Sequence, residues 1–229
     1  MYIKKILKKI LFFFNIKLVS KNSFLIDGRQ IKNILRMKYF FDISSNLEGN
    51  IVECGVGKGR TLFYLMTFLY DNSSHKFKKL WGFDSFRGFP SIDGAESSVR
   101  NPKKGEWGGT EVEDIKKIML SGGIPEPYVD KKLMLVEGFF QDTLSKYNNE
   151  PIAFLHLDVD LYISYKITLE YFYRYVVSGG VIVFDEYGEL NWPGATKAID
   201  EFTELYNCEL EYSVEFDKYY IIKKIIKLL

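Results

Sequence analysis

The sequence predicts an α/β fold in which a mainly parallel β-sheet has helices on both faces and ends in an antiparallel pair of strands. Three observations lead to this prediction. Short apolar runs alternate with helical patterns, a glycine-rich loop follows the first run, and acidic residues follow the later runs. Strands and helices that alternate at this spacing are typical of parallel sheets. The length of 229 residues fits one large domain.

The strands are predicted from short runs rich in valine, isoleucine, leucine and phenylalanine. Continuously apolar runs of this kind are typical of strands that are buried on both faces. In chain order the runs cover residues 51–53, 80–83, 132–136, 152–157, 181–184, 210–214 and 218–222. The last two runs are predicted to form the antiparallel pair.

The helices are predicted from longer segments whose apolar residues recur every three or four positions. They cover residues 31–47, 60–70, 111–120, 164–177 and 196–206. Residues 85–110 are instead rich in glycine, proline and serine, and they predict a long loop. Loops of this length in compact domains are often lids or binding loops, so we expect this segment to act as a lid.

Residues 1–30 form a separate amphipathic segment, in which apolar residues recur at helical spacing opposite a group of lysines. The segment is too short and too rich in lysine for a transmembrane span, and it lacks the cleavage site of a secretory signal. A helix here can pack on the protein or on a second subunit, or it can lie on an anionic membrane surface. We expect a cytoplasmic homodimer, with contact to the inner membrane face as an alternative.

The composition excludes several classes of partner and site. A net charge of +1 gives no electrostatic basis for binding nucleic acid. The two cysteines, Cys54 and Cys208, lie far apart and form no C-x-x-C motif, so neither a disulfide framework nor a zinc site is indicated.

The glycine loop after the first strand predicts a cofactor site. Gly55, Gly57 and a third glycine at position 59 follow Glu53 at alternate positions, so the G-x-G-x-x-G dinucleotide fingerprint is not met. A carboxylate before the first glycine tolerates a neutral or cationic ligand better than a pyrophosphate. The pattern E-x-G-x-G-x-G is associated with S-adenosylmethionine, whose amino-acid end is cationic. The candidate contacts are Glu53, Gly55, Gly57 and Thr61.

Each of the five predicted parallel strands ends in acidic residues. They are Glu53, Asp84, Glu137, Asp158 with Asp160, and Asp185 with Glu186. Helix caps and turns explain one or two such residues but not all five strand ends. Because ligands bind beyond the carboxyl ends of parallel strands, we expect these side chains to surround a site. Asp84 is placed to accept hydrogen bonds from ribose hydroxyls.

Three of the acids predict a metal site. Asp158, Asp185 and Glu186 end the fourth and fifth strands without a cysteine or a pair of histidines, which favours Mg²⁺ over Zn²⁺. Without a cation, carboxylates packed together repel one another and their pKa values rise.

Several motifs together resemble the macrocin O-methyltransferase family over residues 31 to 205. They are residues 52–56 (VECGV), 82–90 (GFDSFRGFP), 137–144 (EGFFQDTL), 156–162 (HLDVDLY), 178–188 (SGGVIVFDEYG), and 193–195 with 197–202 (PGA and KAIDEF). Enzymes of this family methylate sugar hydroxyls using S-adenosylmethionine and Mg²⁺. The resemblance implies that residues 31–229 form a Rossmann-like class I S-adenosylmethionine-dependent methyltransferase domain.

The resemblance also implies cofactor contacts beyond the glycine loop. Phe140 and Gln141, next to Gly138, would lie beside the adenine, and Asp84 with Ser85 would hold the ribose. The aromatic residues at 139–140 can equally pack in the hydrophobic core without contacting a ligand.

The sequence departs from the family pattern at two positions. At a third position it departs from the more distant catechol-type methyltransferases. Glu186 stands where the family commonly has aspartate, and Arg60 replaces a glycine. Catechol-type methyltransferases, which share the metal arrangement, carry a lysine at the position of Leu161, so their lysine-assisted chemistry is not available here.

The general base has three candidates. Asp158 is the first, as metal ligand and neighbour of the acceptor, and His156 or Asp160 is the second. Alternation along the strand can instead place His156 on a buried face.

The favoured function is Mg²⁺-dependent O-methylation of a nucleotide-linked or glycan sugar in surface-polysaccharide or capsule biosynthesis. The alternatives are methylation of a sugar on a macrolide-type natural product, an NAD(P)-dependent oxidoreductase, and a non-catalytic binding protein. The glycine spacing argues against the oxidoreductase, and the intact acids at the strand ends argue against the binding protein.

Overall fold

A seven-stranded sheet organises the residues that the computed structural model describes, which are 26–71, 77–91, 98 and 100–224. The strands are β1 (Asn50–Cys54), β2 (Leu80–Asp84), β3 (Leu133–Glu137), β4 (Ile152–Leu157), β5 (Val176–Phe184), β6 (Glu211–Ser213) and β7 (Lys218–Ile222). Their order is β3-β2-β1-β4-β5-β7-β6, and the first five are parallel. β7 pairs antiparallel with both β5 and β6. The predicted fold class is confirmed.

The helices are α1 (Gly28–Ser44), α2 (Arg60–Asp71), α3 (Val112–Ser121), α4 (Glu126–Lys132), α5 (Phe140–Thr143), α6 (Tyr162–Phe172) and α7 (Pro193–Tyr206). Successive strand side chains point to opposite faces, and this alternation divides the core into two clusters. Phe154 packs with residues of α1 to α4 on one face, whereas Leu155 packs with residues of α6 and α7 on the other. Both faces of the sheet are therefore covered.

By its internal contacts the chain divides into residues 1–33 and 34–229. In the first unit, the start of α1 is capped reciprocally: the Gln30 N–H donates to Asp27 Oδ1 and the Asp27 N–H donates to Gln30 Oε1. Residues 1–25 and 225–229 lie outside the described residues, so the amphipathic segment, its membrane contact and the homodimer stay predictions. Among the described residues, no helix has the length and apolar character that a membrane span requires.

Several predicted element boundaries differ from the structure, and two of the differences have a clear cause. The helix predicted over 164–177 ends at Phe172, and a 3₁₀ turn leads into β5 at Val176. The β-branched Val176 and Val177 fit a strand, and a register shift against β4 carries β5 past two glycines. The strand predicted from residue 132 begins at Leu133, because Lys132 ends α4.

Two short helices were not predicted. α4 has seven residues and follows Pro125, which occupies its N-cap, and α5 has four residues. Segments this short do not complete enough turns for a helical period to show in the sequence.

Candidate active site

The glycine loop leaves β1 in contact with the end of β4. Gly55 has a φ of +85°, which glycine adopts without steric cost, and its N–H donates to the Phe83 carbonyl oxygen at 2.9 Å. A Cβ atom on Gly55 would collide with the backbone carbonyl of Asp158. Glycine at this position therefore lets the loop lie against the start of the acidic turn after β4.

We expect Gly55→Ala to destabilise the protein by more than about 4 kcal/mol and to abolish S-adenosylmethionine binding, because both the φ angle and the backbone contact exclude a methyl group. Gly123→Ala is the matched control. Gly123 has a φ of +91°, but a Cβ atom added to it would have no neighbouring atom within 4 Å, so only the backbone cost of about 1–2 kcal/mol applies. Denaturant unfolding and calorimetry measure both effects. Equal losses in the two variants would contradict the contact.

Asp84 ties the glycine loop to the long loop after β2. Its Oδ2 accepts a hydrogen bond from the Gly57 N–H at 2.7 Å, and its Oδ1 accepts one from the Phe86 N–H at 2.7 Å. Both bonds use backbone donors, and the half-buried carboxylate keeps free lone pairs. Asp84 therefore shapes the predicted cofactor site, and its contact with ribose stays a prediction. Thr61 lies half-buried in the first turn of α2.

A pocket of about 280 Å³ opens beside the ends of β2 and β3. Its lining residues are Ser85, Arg87, Glu137, Gly138, Phe139 and Asp142. Of the predicted cofactor contacts, Ser85 and Gly138 line it. Phe140 instead packs against the core and Gln141 is exposed. Glu137, which ends β3, was predicted among the acids at the site. Arg87, Phe139 and Asp142 were not predicted, although each lies within five residues of the end of β2 or β3, and that position is the signal that could have identified them.

Glu53 and His156 form a buried pair beneath the site. They are register partners on β1 and β4, with exposed side-chain fractions of 1% and 2%, and Glu53 Oε1 lies 3.0 Å from His156 Nδ1. Burial raises the pKa of Glu53. Burial opposes the charged form of His156, but the hydrogen bond and charge of Glu53 raise its pKa. Neither side chain is accessible to an acceptor in solution.

The structure brings the three predicted metal ligands together. Asp158, Asp185 and Glu186 each place one carboxylate oxygen within 4.8 Å of the others. Lys218 Nζ lies 2.8 Å from Asp185 Oδ1, and the Tyr165 hydroxyl donates to Glu186 Oε2 at 2.5 Å. These partners hold two of the three carboxylates in place.

The charges of the cluster are poorly compensated. Burial and the Asp185 charge raise the pKa of Asp158 to about 7. Burial and the charges of Asp158 and Asp185 raise the pKa of Glu186 well above its usual value. Burial also opposes ionisation of Asp185, but the Lys218 ammonium lowers its pKa. A divalent cation would offset this repulsion, and three carboxylate oxygens suit Mg²⁺, so the residues fit the ion.

Asp160 lies at the edge of the cluster. It has a φ of +58°, which aspartate tolerates better than most residues, and its N–H donates to Glu186 Oε2 at 3.2 Å. Its side chain is half-buried, and burial followed by the Asp158 charge raises its pKa to about 8. Asp160 therefore lies beside the three carboxylates without being fully buried.

Residues 29–214 match the macrocin-O-methyltransferase (TylF) family, and this range is most of the chain. The chain belongs to this family. The family membership that the motifs implied is confirmed. Three curated relatives of the chain also carry names that describe O-methyltransferases.

Demethyldecarbamoylnovobiocin O-methyltransferase of Streptomyces niveus is 27% identical over 164 residues, 70% of this chain and 60% of that protein. A tetracenomycin-C rhamnosyl 4'-O-methyltransferase of Streptomyces olivaceus is 26% identical, over 69% of this chain and 60% of that protein. Mycinamicin III 3''-O-methyltransferase of Micromonospora griseorubida is 24% identical, over 77% and 68%. The matched region spans 60% of the length of the first two relatives.

Solved structures share the fold. The calicheamicin methyltransferase CalS11 has a TM-score of 0.74 at 23% identity, covering 86% of this chain and 80% of that chain. The O-methyltransferase NovP has a TM-score of 0.71 at 24% identity, covering 85% and 80%. The fold is that of the class I S-adenosylmethionine-dependent methyltransferases, as predicted.

Proposed function

We propose that the protein transfers the methyl group of S-adenosylmethionine to a hydroxyl of a sugar, with Mg²⁺ bound by Asp158, Asp185 and Glu186. The observation that carries this proposal is the contact between the two halves of the site. Gly55 of the predicted cofactor loop lies against the backbone of Asp158, and Asp158 belongs to the cluster of carboxylates within 4.8 Å. A methyl donor on the loop and an acceptor at the cluster would be neighbours.

The acceptor is proposed from the names of the relatives. The sequence alone favoured a sugar of surface-polysaccharide biosynthesis. The curated relatives instead carry names from antibiotic biosynthesis, and one names a rhamnosyl group as its acceptor. These names support the alternative, a sugar of a natural product. CalS11, which shares the fold, is named a TDP-rhamnose 3'-O-methyltransferase, so nucleotide-linked deoxysugars belong among the acceptors to be tested.

The metal contributes by its charge. When bound, Mg²⁺ lowers the pKa of a coordinated hydroxyl and orients it. Lys218 keeps Asp185 ionised, and the Tyr165 hydroxyl holds Glu186, so the chain prepares two of the three ligands for a cation.

Asp160 is the base that the geometry supports best. His156 is buried and paired with Glu53, and Asp158 is engaged as a ligand, whereas Asp160 is half-buried at the edge of the cluster. Its carboxylate takes the proton of the acceptor hydroxyl as the oxygen attacks the methyl carbon. The carbon–sulfur bond breaks and its electron pair stays on sulfur, which gives S-adenosylhomocysteine. Much of the rate would come from holding the two reactants in line.

Metal removal tests this proposal. Excess chelator should abolish methyl transfer but leave S-adenosylmethionine affinity in calorimetry nearly unchanged, because the glycine loop and the carboxylates are separate contacts. Mn²⁺ should restore activity and Zn²⁺ should restore less, since Zn²⁺ prefers nitrogen and sulfur ligands in tetrahedral geometry. Full activity in excess chelator would rule out the role of the metal.

A further inference from the structure

An aromatic cluster joins two loops above the sheet. It consists of Phe89, Arg100, Trp107 and Trp192, and we call it the aromatic clasp. Its ring centroids are separated by 5.2 Å for Phe89 and Trp107, 5.8 Å for Phe89 and Trp192, and 5.9 Å for the two tryptophans. The Arg100 guanidinium lies 4.1 Å from the Trp107 ring and 5.1 Å from the Trp192 ring. It therefore has cation–π contacts with both.

The clasp spans the candidate active site. Phe89, Arg100 and Trp107 belong to the loop after β2, whereas Trp192 belongs to the segment between β5 and α7. In the sheet, β1 and β4 lie between β2 and β5. A contact between these two loops must therefore pass over the carboxyl ends of β1 and β4. Those ends carry the glycine loop and the acidic turn with Asp160.

The charge of Arg100 acts on Asp160, which agrees with a position of the clasp over the acidic turn. Burial and then the neighbouring carboxylates raise the pKa of Asp160, whereas the positive charge of Arg100 lowers it. Arg100 is itself fixed by Glu106, whose two oxygens accept hydrogen bonds at 2.5 and 3.3 Å. A second contact, from the Ser98 hydroxyl to the Asn191 carbonyl oxygen, joins the same two loops.

Trp107 differs from the other rings of the clasp. Trp192 and Phe89 are 7% and 8% exposed, as expected for residues that hold two loops together, but Trp107 is 56% exposed. It also has a φ of +65°, which is a genuine outlier for a bulky side chain. Packing within the protein does not account for a tryptophan held in a costly conformation with half of its surface in water. Backbone strain of this kind is typical of functional positions.

The shape of the exposed surface suggests the ligand. The Arg100 guanidinium lies 4.1 Å from the Trp107 ring centroid, and more than half of the Trp107 surface is exposed, so the indole still offers apolar surface to a ligand. A sugar ring presents C–H groups on one face and hydroxyls around its edge, and a deoxysugar adds an apolar methyl group. Such a ring can bury its apolar face on the indole while one of its hydroxyls points toward the carboxylates below.

We propose that the exposed surface of the Trp107 indole binds the sugar ring of the acceptor by stacking, and that Arg100 and Trp192 hold the indole in place for this purpose. This inference rests on the proposed function for the identity of the acceptor. It assigns acceptor selection to the clasp, because a ring that cannot stack on Trp107 would not present its hydroxyl to Asp160.

The experiment compares Trp107→Gly with wild type. Glycine accepts a φ of +65°, so this variant removes the ring without straining the backbone of the loop, and its unfolding temperature is measured beside the binding data to show that the variant is folded. Phe77→Ala is the control, since Phe77 is 94% exposed and precedes β2, at the edge of the sheet opposite the site. The probes are a nucleoside-diphosphate-linked 6-deoxyhexose and the methyl glycoside of the same sugar. Binding is measured by calorimetry with S-adenosylhomocysteine present, and turnover by mass spectrometry.

We expect Trp107→Gly to weaken binding of both probes and to raise KM roughly tenfold or more, with a smaller change in kcat and unchanged affinity for S-adenosylhomocysteine. Phe77→Ala should match wild type. The inference is overturned if wild type binds neither probe, if Trp107→Gly binds both as well as wild type does, or if its defect appears only with the nucleotide-linked probe. If the probes bind through Trp107 but no methyl is transferred, the proposed function fails and the stacking site stands.

Discussion

Asp160→Asn is expected to lower kcat by roughly 10²- to 10⁴-fold, the range by which a general base accelerates a reaction. The amide cannot take a proton from the acceptor hydroxyl. Asparagine has nearly the same shape and also tolerates a φ of +58°, so the turn and its hydrogen bond from the backbone to Glu186 should persist. Affinities for S-adenosylmethionine and for Mg²⁺ should therefore change little.

Asp217→Asn is the matched control for this variant. Asp217 also has a positive φ, of +53°, but it lies in the turn between β6 and β7 at the far end of the sheet. Its kcat should equal that of wild type. A kcat for Asp160→Asn within a factor of two or so of the control would remove Asp160 as the base and return the role to Asp158.

Asp185→Asn should lower Mg²⁺ affinity by about 100-fold or more, and methyl transfer at moderate metal concentrations should fall with it. The substitution removes one of three ligand charges. It also leaves the Lys218 ammonium, 2.8 Å from Asp185 Oδ1 in the wild type, without its carboxylate. Metal titrations that are monitored by calorimetry and by methyl-transfer activity measure the loss of Mg²⁺ affinity and the loss of activity together.

Glu186→Asp separates charge from geometry at the neighbouring position. The resemblance to the family implies aspartate at this position, so this variant keeps the carboxylate and should retain most of the metal affinity. If Asp185→Asn binds Mg²⁺ as tightly as Glu186→Asp does, the cluster within 4.8 Å is not the metal site.

The sheet and the acidic strand ends could be predicted because both leave local signals. Buried parallel strands appear as continuous apolar runs, and the residue after each run lies at the ligand-binding edge whatever the order of the strands. For this reason Asp158, Asp185 and Glu186 were identified as a cluster without knowledge of which strands are neighbours. The boundary at Val176 was missed because two β-branched residues at the end of a helical pattern fit both the end of a helix and the start of a strand.

The pairing of Glu53 with His156 could not be predicted, because it depends on register. The sequence shows that each side chain ends or nearly ends a strand, but only the alignment of β1 with β4 places them opposite one another. The same holds for the aromatic clasp. Phe89 and Trp192 are more than a hundred positions apart, and their contact follows from the order of β2 and β5 in the sheet.

The proposed activity can be measured directly as methyl transfer to a sugar. Wild-type protein is incubated with S-adenosylmethionine, Mg²⁺ and a panel of nucleotide-linked deoxysugars and glycosylated natural products, and the products are analysed by mass spectrometry. We expect at least one acceptor to gain a single methyl group on a sugar hydroxyl, with an equal amount of S-adenosylhomocysteine formed and no product in excess chelator. Methylation of a position outside the sugar, or transfer to no member of the panel by protein that binds S-adenosylmethionine, would contradict it.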